Sequence, residues 1–257
     1  MKARQQWVAF VTILTREVRR FMRIWLQTLL PPAITIVLYF VIFGTLIGPR
    51  IGAMAGHTYI DFVVPGLIMM SVITNSYSNV VSSFYGNKFQ GSIEEILVSP
   101  VPNYVILLGF VFGGVARGIA VGAIVTLLSL LFTSLQLHHL GVILGMVLLT
   151  AILFSIAGLI NAIFAESFDD ISIIPTFVLT PLTYLGGVFY SIDMLPELWQ
   201  AVSRANPILY MVNAFRYGFL GTSDIPVSGA FLMVSAFIAL SYVYAIHLLA
   251  RGRRLRR

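Results

Sequence analysis

Residues 168–221 read FDDISIIPTFVLTPLTYLGGVFYSIDMLPELWQAVSRANPILYMVNAFRYGFLG, two unlike halves whose junction decides the fold. The first half, 171–192, carries no charge and is interrupted by Pro175, Pro181 and the pair Gly186-Gly187. The second, 195–220, holds Trp199, Ile208, Leu209, Tyr210, Met211, Val212 and Phe215 but also Glu197, Arg204 and Arg216. It is too polar to cross a bilayer and too apolar for an ordinary loop. Apolar pieces of about 10 to 14 residues fit re-entrant or interfacial elements. Backbone that breaks at membrane depth is tolerated only where protein or a watery cavity surrounds it. The spacing therefore predicts two short helices over 195–220 that dip into the outer leaflet. Pro196 suits the first turn of one, Asn206 caps the second with Pro207 at its first position, and Gly221 ends it. The hinge then falls between Ala205 and Pro207, and Trp199, Asn206, Pro207 and Tyr210 are the candidate outer gate. Trp199, Tyr210 and Tyr217 are expected at headgroup depth, where amphipathic aromatics sit.

Outward from this stretch the chain keeps the same character. Of 257 residues 58% are hydrophobic and only 10% charged, the composition of an integral membrane protein. Charges bound the uncharged intervals 24–49, 62–87, 96–116, 118–165, 171–192 and 225–250. A bilayer core takes about 20 helical residues, so the interval after Arg117 holds the end of one helix and all of the next, with a turn at 134–140 around His138-His139. The expectation is an all-α polytopic membrane protein with six transmembrane helices at 26–48, 60–84, 104–133, 141–164, 171–190 and 226–250. Lys2, Arg4, Arg16, Arg19, Arg20, Arg23, Lys88, Arg251, Arg253, Arg254, Arg256 and Arg257 fall on one side, 12 against the 3 of Arg50, Arg204 and Arg216. That asymmetry puts both termini in the cytoplasm. It also accounts for the net charge of +6 without a nucleic-acid partner. The absence of cysteine excludes disulfides, thiolate metal sites and Cys nucleophiles, and identifies no compartment.

Before the first span, residues 1–25 place Trp7, Phe10, Val11, Leu14, Val18, Phe21, Met22 and Trp25 on one helical face and arginines elsewhere, as in an interfacial amphipathic helix. No compact apolar run ending in a small-residue cleavage site precedes Trp25. In the third span Gly114, Gly118 and Gly122 recur every four residues, a packing face that serves one subunit or two equally well. Arg117 on that helix snorkels to the inner interface if the first turns stand in the cytoplasm, and is otherwise a substrate contact. The second span bears a polar stripe of Ser71, Asn75, Ser78, Asn79 and Ser82, and the fifth bears Thr176, Thr180, Thr183 and Tyr184. Such side chains glue helices together or line a route. Ser71, Asn75, Asn79, Thr176, Thr180 and Tyr184 are the pathway candidates, fitting amphipathic or sugar-bearing cargo better than ions. Asp61 is the one acidic residue near a span on the outer half.

Between spans two and three, Ser92 and Glu95 have capping-box spacing and Pro100 and Pro102 stop what they start. A short cytoplasmic helix over 91–99 follows, with Ile93, Ile96 and Leu97 on an apolar face that needs a partner. On the same side Asp169 and Asp170 favour the N-terminus of span five through the helix dipole.

The segments GSIEEILVSPVP (91–102), FDDISIIPTFVLTPLTYLGGVFYSIDMLP (168–196), Asn206-Pro207 and RYGFLG (216–221), with the amphipathic start, resemble the ABC-2 type export permeases over nearly the whole chain. The resemblance implies the type V exporter-like architecture of a bacterial inner-membrane protein, with two copies of a six-span subunit working in lipid with two copies of a separate ATPase. In such a protein Ser92, Ile93, Glu94, Glu95, Ile96 and Leu97 form the coupling helix that docks on the ATPase, and 195–220 forms the outer re-entrant helices. ATP and magnesium belong to the partner, and this chain has no cofactor. Neither of its lysines, Lys2 and Lys88, stands in a P-loop, so it is not expected to be the ATP-hydrolysing enzyme. Two other classes fit less well. An intramembrane metalloenzyme lacks H-E-x-x-H among His57, His138, His139 and His247. A secondary transporter would carry coupling carboxylates within its spans.

Overall fold

A computed structural model describes residues 2–251. The basic tail that enters the charge asymmetry through Arg253, Arg254, Arg256 and Arg257 lies outside the described residues. The chain forms α1 (Ala3–Arg23), α2 (Trp25–Ile51), a two-stranded hairpin, α3 (Tyr59–Phe89), α4 (Ser92–Val98), α5 (Asn103–Ser129) and α6 (Leu140–Phe164). There follow α7 (170–184), α8 (Glu197–Arg204), α9 (Pro207–Leu220) and α10 (Val227–Arg251). Among the described residues, five helices are long and apolar enough to cross a membrane: α2, α3, α5, α6 and α10.

The expected fifth span, 171–190, is helical only to Tyr184. Its middle widens into a π-turn over Pro175–Leu179, because Pro175 and Pro181 withhold the amide hydrogens a regular ladder needs. Gly187 then adopts φ +70°, a left-handed conformation that glycine enters without strain, and the chain leaves the helix for an irregular stretch over 185–190.

Helix α3 is the hub, with α5, α6 and α9 packed on it, while α1 lies along α5. Close approach is set by small residues. A Cβ on Gly118 would stand 3.3 Å from the Val72 carbonyl oxygen, and one on Gly114 2.9 Å from that of Ser76. Gly114, Gly118 and Gly122 thus face α3 of the same chain. The buried face of α1 is not the purely apolar one: Glu17 and Phe21 are buried, whereas Trp7, Val8, Val11 and Met22 point outward, as suits a helix half in lipid.

Candidate functional site

The end of the bundle where α3 begins is organised by one cation. Arg216 on α9 is 2% exposed, and its Cζ lies 3.7 Å from the centroid of the Phe62 ring. Its Nε donates to the Phe62 carbonyl (3.1 Å) and its Nη2 to the Gly187 carbonyl (2.6 Å). Tyr59 Oη donates to the Phe189 carbonyl (3.1 Å), and Val188 crosses α3 at Gly66, where a Cβ would stand 2.9 Å from the Val188 Cα. The irregular stretch after α7 therefore has carbonyls satisfied by side chains of α3 and α9, the condition under which broken backbone survives in an apolar setting.

Asn206 bridges the two short helices to α7. Its Oδ1 accepts from the Ile208 amide (3.0 Å) while its Nδ2 donates to the Leu182 carbonyl (2.6 Å). Pro207 opens α9, and Gly221 closes it at φ +71°. Tyr210 Oη ties back to the Arg204 carbonyl (2.9 Å), and Trp199 is exposed on α8. The two helices differ more than their sequences predict. In α8 only Ser203 is buried, whereas in α9 ten of fourteen residues are, so α9 is a core element of the bundle. Tyr217 stacks on His139 at 5.5 Å. At the start of α3 the Asp61 carboxylate accepts from the hydroxyls of Thr58 and Thr133, while Thr58 is the N-cap and its Oγ1 accepts from the Asp61 amide.

Midway, the polar stripe of α3 faces two arginines. Asn79 Oδ1 accepts from Arg20 Nη2 (2.9 Å), and Asn75 Oδ1 from Arg117 Nη2 (3.1 Å), which also reaches the Thr28 carbonyl (3.2 Å). Arg117 lines a cleft of about 360 Å³ between α2 and α3, with Ser71, Asn75 and Ser78 among its neighbours. Thr176, Thr180 and Tyr184 are exposed on α7 and do not join this cleft, so the pathway candidates form two separate groups.

The opposite end, where α3 finishes, is a platform. Lys88 Nζ donates to the Ile163 and Ala165 carbonyls (2.9 and 2.7 Å) at the C-terminus of α6, where a cation is favoured by the helix dipole. Tyr85 Oη donates to the Glu166 carbonyl (2.9 Å), and the Tyr85, Phe89 and Phe168 rings cluster. The expected capping box at Ser92 and Glu95 does not form. Gly91, at φ +76°, is the N-cap, and Ser92 Oγ turns back to Asn87. A reciprocal box forms instead at Ser167 and Asp170, whose groups exchange bonds of 3.0 and 3.2 Å. With the Glu166 amide also donating at 2.8 Å, these bonds hold the Asp170 carboxyl below the usual carboxylate range. The apolar face of α4 does not await a partner: Ile93 is fully buried, and Ile96 and Leu97 pack on the same core. What α4 turns outward is Glu94, Glu95 and Val98, the last 83% exposed.

Residues 8–220 match the family described as ABC-2 type transporter. The inner membrane transport permease YadH of Escherichia coli (strain K12) is 58% identical over 250 residues, 97% of this chain and 98% of that one. Nodulation protein J of Rhizobium leguminosarum bv. trifolii is 23% identical over 209 residues, covering 81% and 80% of the two chains.

Proposed function

Because the chain belongs to the ABC-2 type transporter family, and is thereby the membrane permease of an ABC transporter, we propose that it is the permease subunit of an exporter. It moves an amphipathic, lipid-linked or drug-like substrate outward across the bacterial inner membrane. It works as a homodimer with two copies of a separate ABC ATPase, which binds ATP and magnesium and performs the hydrolysis. The inner-membrane placement follows the name of the Escherichia coli relative, and both termini lie in the cytoplasm by the 12 to 3 distribution of basic residues. Helix α7 with the irregular stretch 185–190 makes the sixth crossing. Helices α8 and α9 close its outer end, with α9 as the plug and Asn206-Pro207 as the hinge.

The observation that carries the coupling role is the seat of α4. Seven residues are pinned to the core by buried Ile93, while Glu94, Glu95 and Val98 are exposed. A rigid helix with an outward edge transmits the movement of a docked subunit to α3, which it joins directly through Asn87 and Ser92. Coexpression with a tagged ABC ATPase tests this. Val98→Asp and Glu95→Arg should each lower ATPase co-purification roughly tenfold, as loss of a well-packed interface residue does, without reducing the amount of inserted permease. Undiminished co-purification and hydrolysis in both variants would reject α4 as the dock.

A further inference from the structure

Two cavities open along one polar face of α3. The larger, about 900 Å³, lies between α1 and the inner end of α3. Arg16, Arg19, Arg20 and Arg23 line it against one carboxylate, Glu17, leaving an excess of three positive charges. Glu17 is buried and ion-paired at 3.5 Å with both Arg16 Nη2 and Arg20 Nε, without a hydrogen bond to either. The smaller cavity is the α2/α3 cleft that holds Arg117, and no acidic residue lines it. The two are joined by adjacent turns of one helix. Arg20 hangs on Asn79 and Arg117 on Asn75, four residues apart and so about 6 Å apart along the axis. The Nε donors of both arginines are buried without an acceptor.

A guanidinium at membrane depth is costly unless an anion compensates it. At Arg117 the neutral oxygens of Asn75 and Thr28 satisfy some of the donors and none of the charge, and in the groove Arg16 and Arg20 share the single carboxylate of Glu17. Planar guanidinium forks are suited to phosphate oxygens, which they bind bidentately. The α2 wall of the cleft is formed by Gln27, Pro31, Pro32, Thr35, Ile36 and Tyr39, and on the same helix Leu26, Ile34 and Leu38 are exposed apolar side chains outside the lining. A ligand that puts its charge on the arginines can leave its tail in lipid beside them.

We propose that Arg20 and Arg117, spaced by Asn79 and Asn75, form a track for the phosphate-type headgroup of an anionic amphiphile. The headgroup enters from the inner leaflet through the arginine-lined groove and passes to Arg117 with its tail along α2. This deepens the exporter reading by naming a cargo class and rests on that reading for the direction of movement. The binding itself requires no ATPase, so it is tested without one.

The experiment uses the full chain in phosphatidylcholine nanodiscs, with hexadecyl phosphate as probe. Binding should saturate at one headgroup per chain, hexadecanol should not compete, and inorganic phosphate should compete only weakly. Arg117→Gln and Arg20→Gln should each weaken binding roughly tenfold, the loss expected for a charge-assisted contact, and Arg117→Lys should restore only part of it, since an ammonium supplies the charge without the planar fork. Arg50→Gln, on the other side, should change nothing. Where Arg117→Gln lowers the yield of folded protein, the Arg20→Gln variant carries the test. Unchanged binding in Arg20→Gln and Arg117→Gln would overturn the track, as would equal competition by hexadecanol. Inorganic phosphate binding as tightly as the probe would assign a soluble anion instead. Equal affinity for phosphatidylglycerol would mark a seat for bulk lipid and overturn a cargo site. Any of these failures leaves ATPase docking at α4 standing, since that is read by co-purification.

Discussion

Replacing Arg216 by methionine removes the guanidinium and keeps an unbranched side chain. Two buried carbonyls, of Phe62 and Gly187, each lose a donor, and the Phe62 ring loses a cation 3.7 Å from its centroid. The Gly187 carbonyl is orphaned at about 1 to 3 kcal/mol, the Phe62 carbonyl keeps its place in the α3 ladder and loses a second bond of about 1 kcal/mol, and a desolvated cation–π contact contributes about 2 kcal/mol. Relief of the guanidinium's own desolvation offsets part of this, so the net loss is about 3 to 5 kcal/mol, as for other broken buried charge sites. A loss of that size lowers the melting temperature by on the order of 10 °C. Thermal unfolding followed by fluorescence-detected size exclusion in a mild detergent measures it. The damage is also localised. Cysteine placed at buried Val188, in a chain with no thiol of its own, should resist aqueous maleimide when Arg216 is intact and react in the Arg216→Met background. A melting shift below about 2 °C, against the scale of about 2 to 4 °C per kcal/mol, with Val188→Cys still protected, would refute Arg216 as the clamp of the irregular stretch 185–190.

Gly158→Ala places a Cβ 2.6 Å from the Tyr77 carbonyl oxygen, forcing α6 from α3 at a cost of about 1 to 3 kcal/mol; Gly141→Ala, with nothing within 4 Å, is the neutral control in the same melt. Lys88→Met strips the Ile163 and Ala165 carbonyls of their cation, so amide exchange over residues 163–168 should accelerate while the outer half is unchanged. The Asp170 carboxyl is held below the ordinary carboxylate value of 3.8, so its cap is fully present above that pH and is lost as pH falls through the lower folded value. Amide exchange at Glu166 and Ser167 should therefore show an extra acid-induced opening only in that acidic range, and Asp170→Ala should abolish it.

Much of the helical layout is legible because the uncharged intervals are long and their ends are marked. Asn206-Pro207 and Gly221 bound α9 by local rules, and the glycines at 114, 118 and 122 announce a close helix contact without naming the partner. Three features escape local rules. Where α7 stops depends on Gly187 and on Arg216, 29 residues further along, whose buried guanidinium replaces the missing helical donors. A buried arginine in an apolar helix is the available signal, and only contact in space tells it from an exposed one. The stripe on α3 is visible as a pattern, but Arg20 is 59 residues from Asn79 and Arg117 is 42 from Asn75, so no spacing pairs them. At Ser92 the box pattern is present, yet Gly91 in the left-handed region takes the cap position, and the same chemistry is used at Ser167 and Asp170.

The exporter architecture requires that α7 and the irregular stretch after it cross the membrane, since the inner platform and the outer plug are then on opposite sides. Single cysteines at exposed Phe168 and Met194 flank that crossing, and the chain supplies no background thiol. In intact cells an impermeant maleimide should label Met194→Cys and leave Phe168→Cys untouched, and inverted vesicles should reverse the pattern. Labelling of both positions from the same side would mean that α7 returns to the face it entered, and the six-crossing exporter architecture would be wrong.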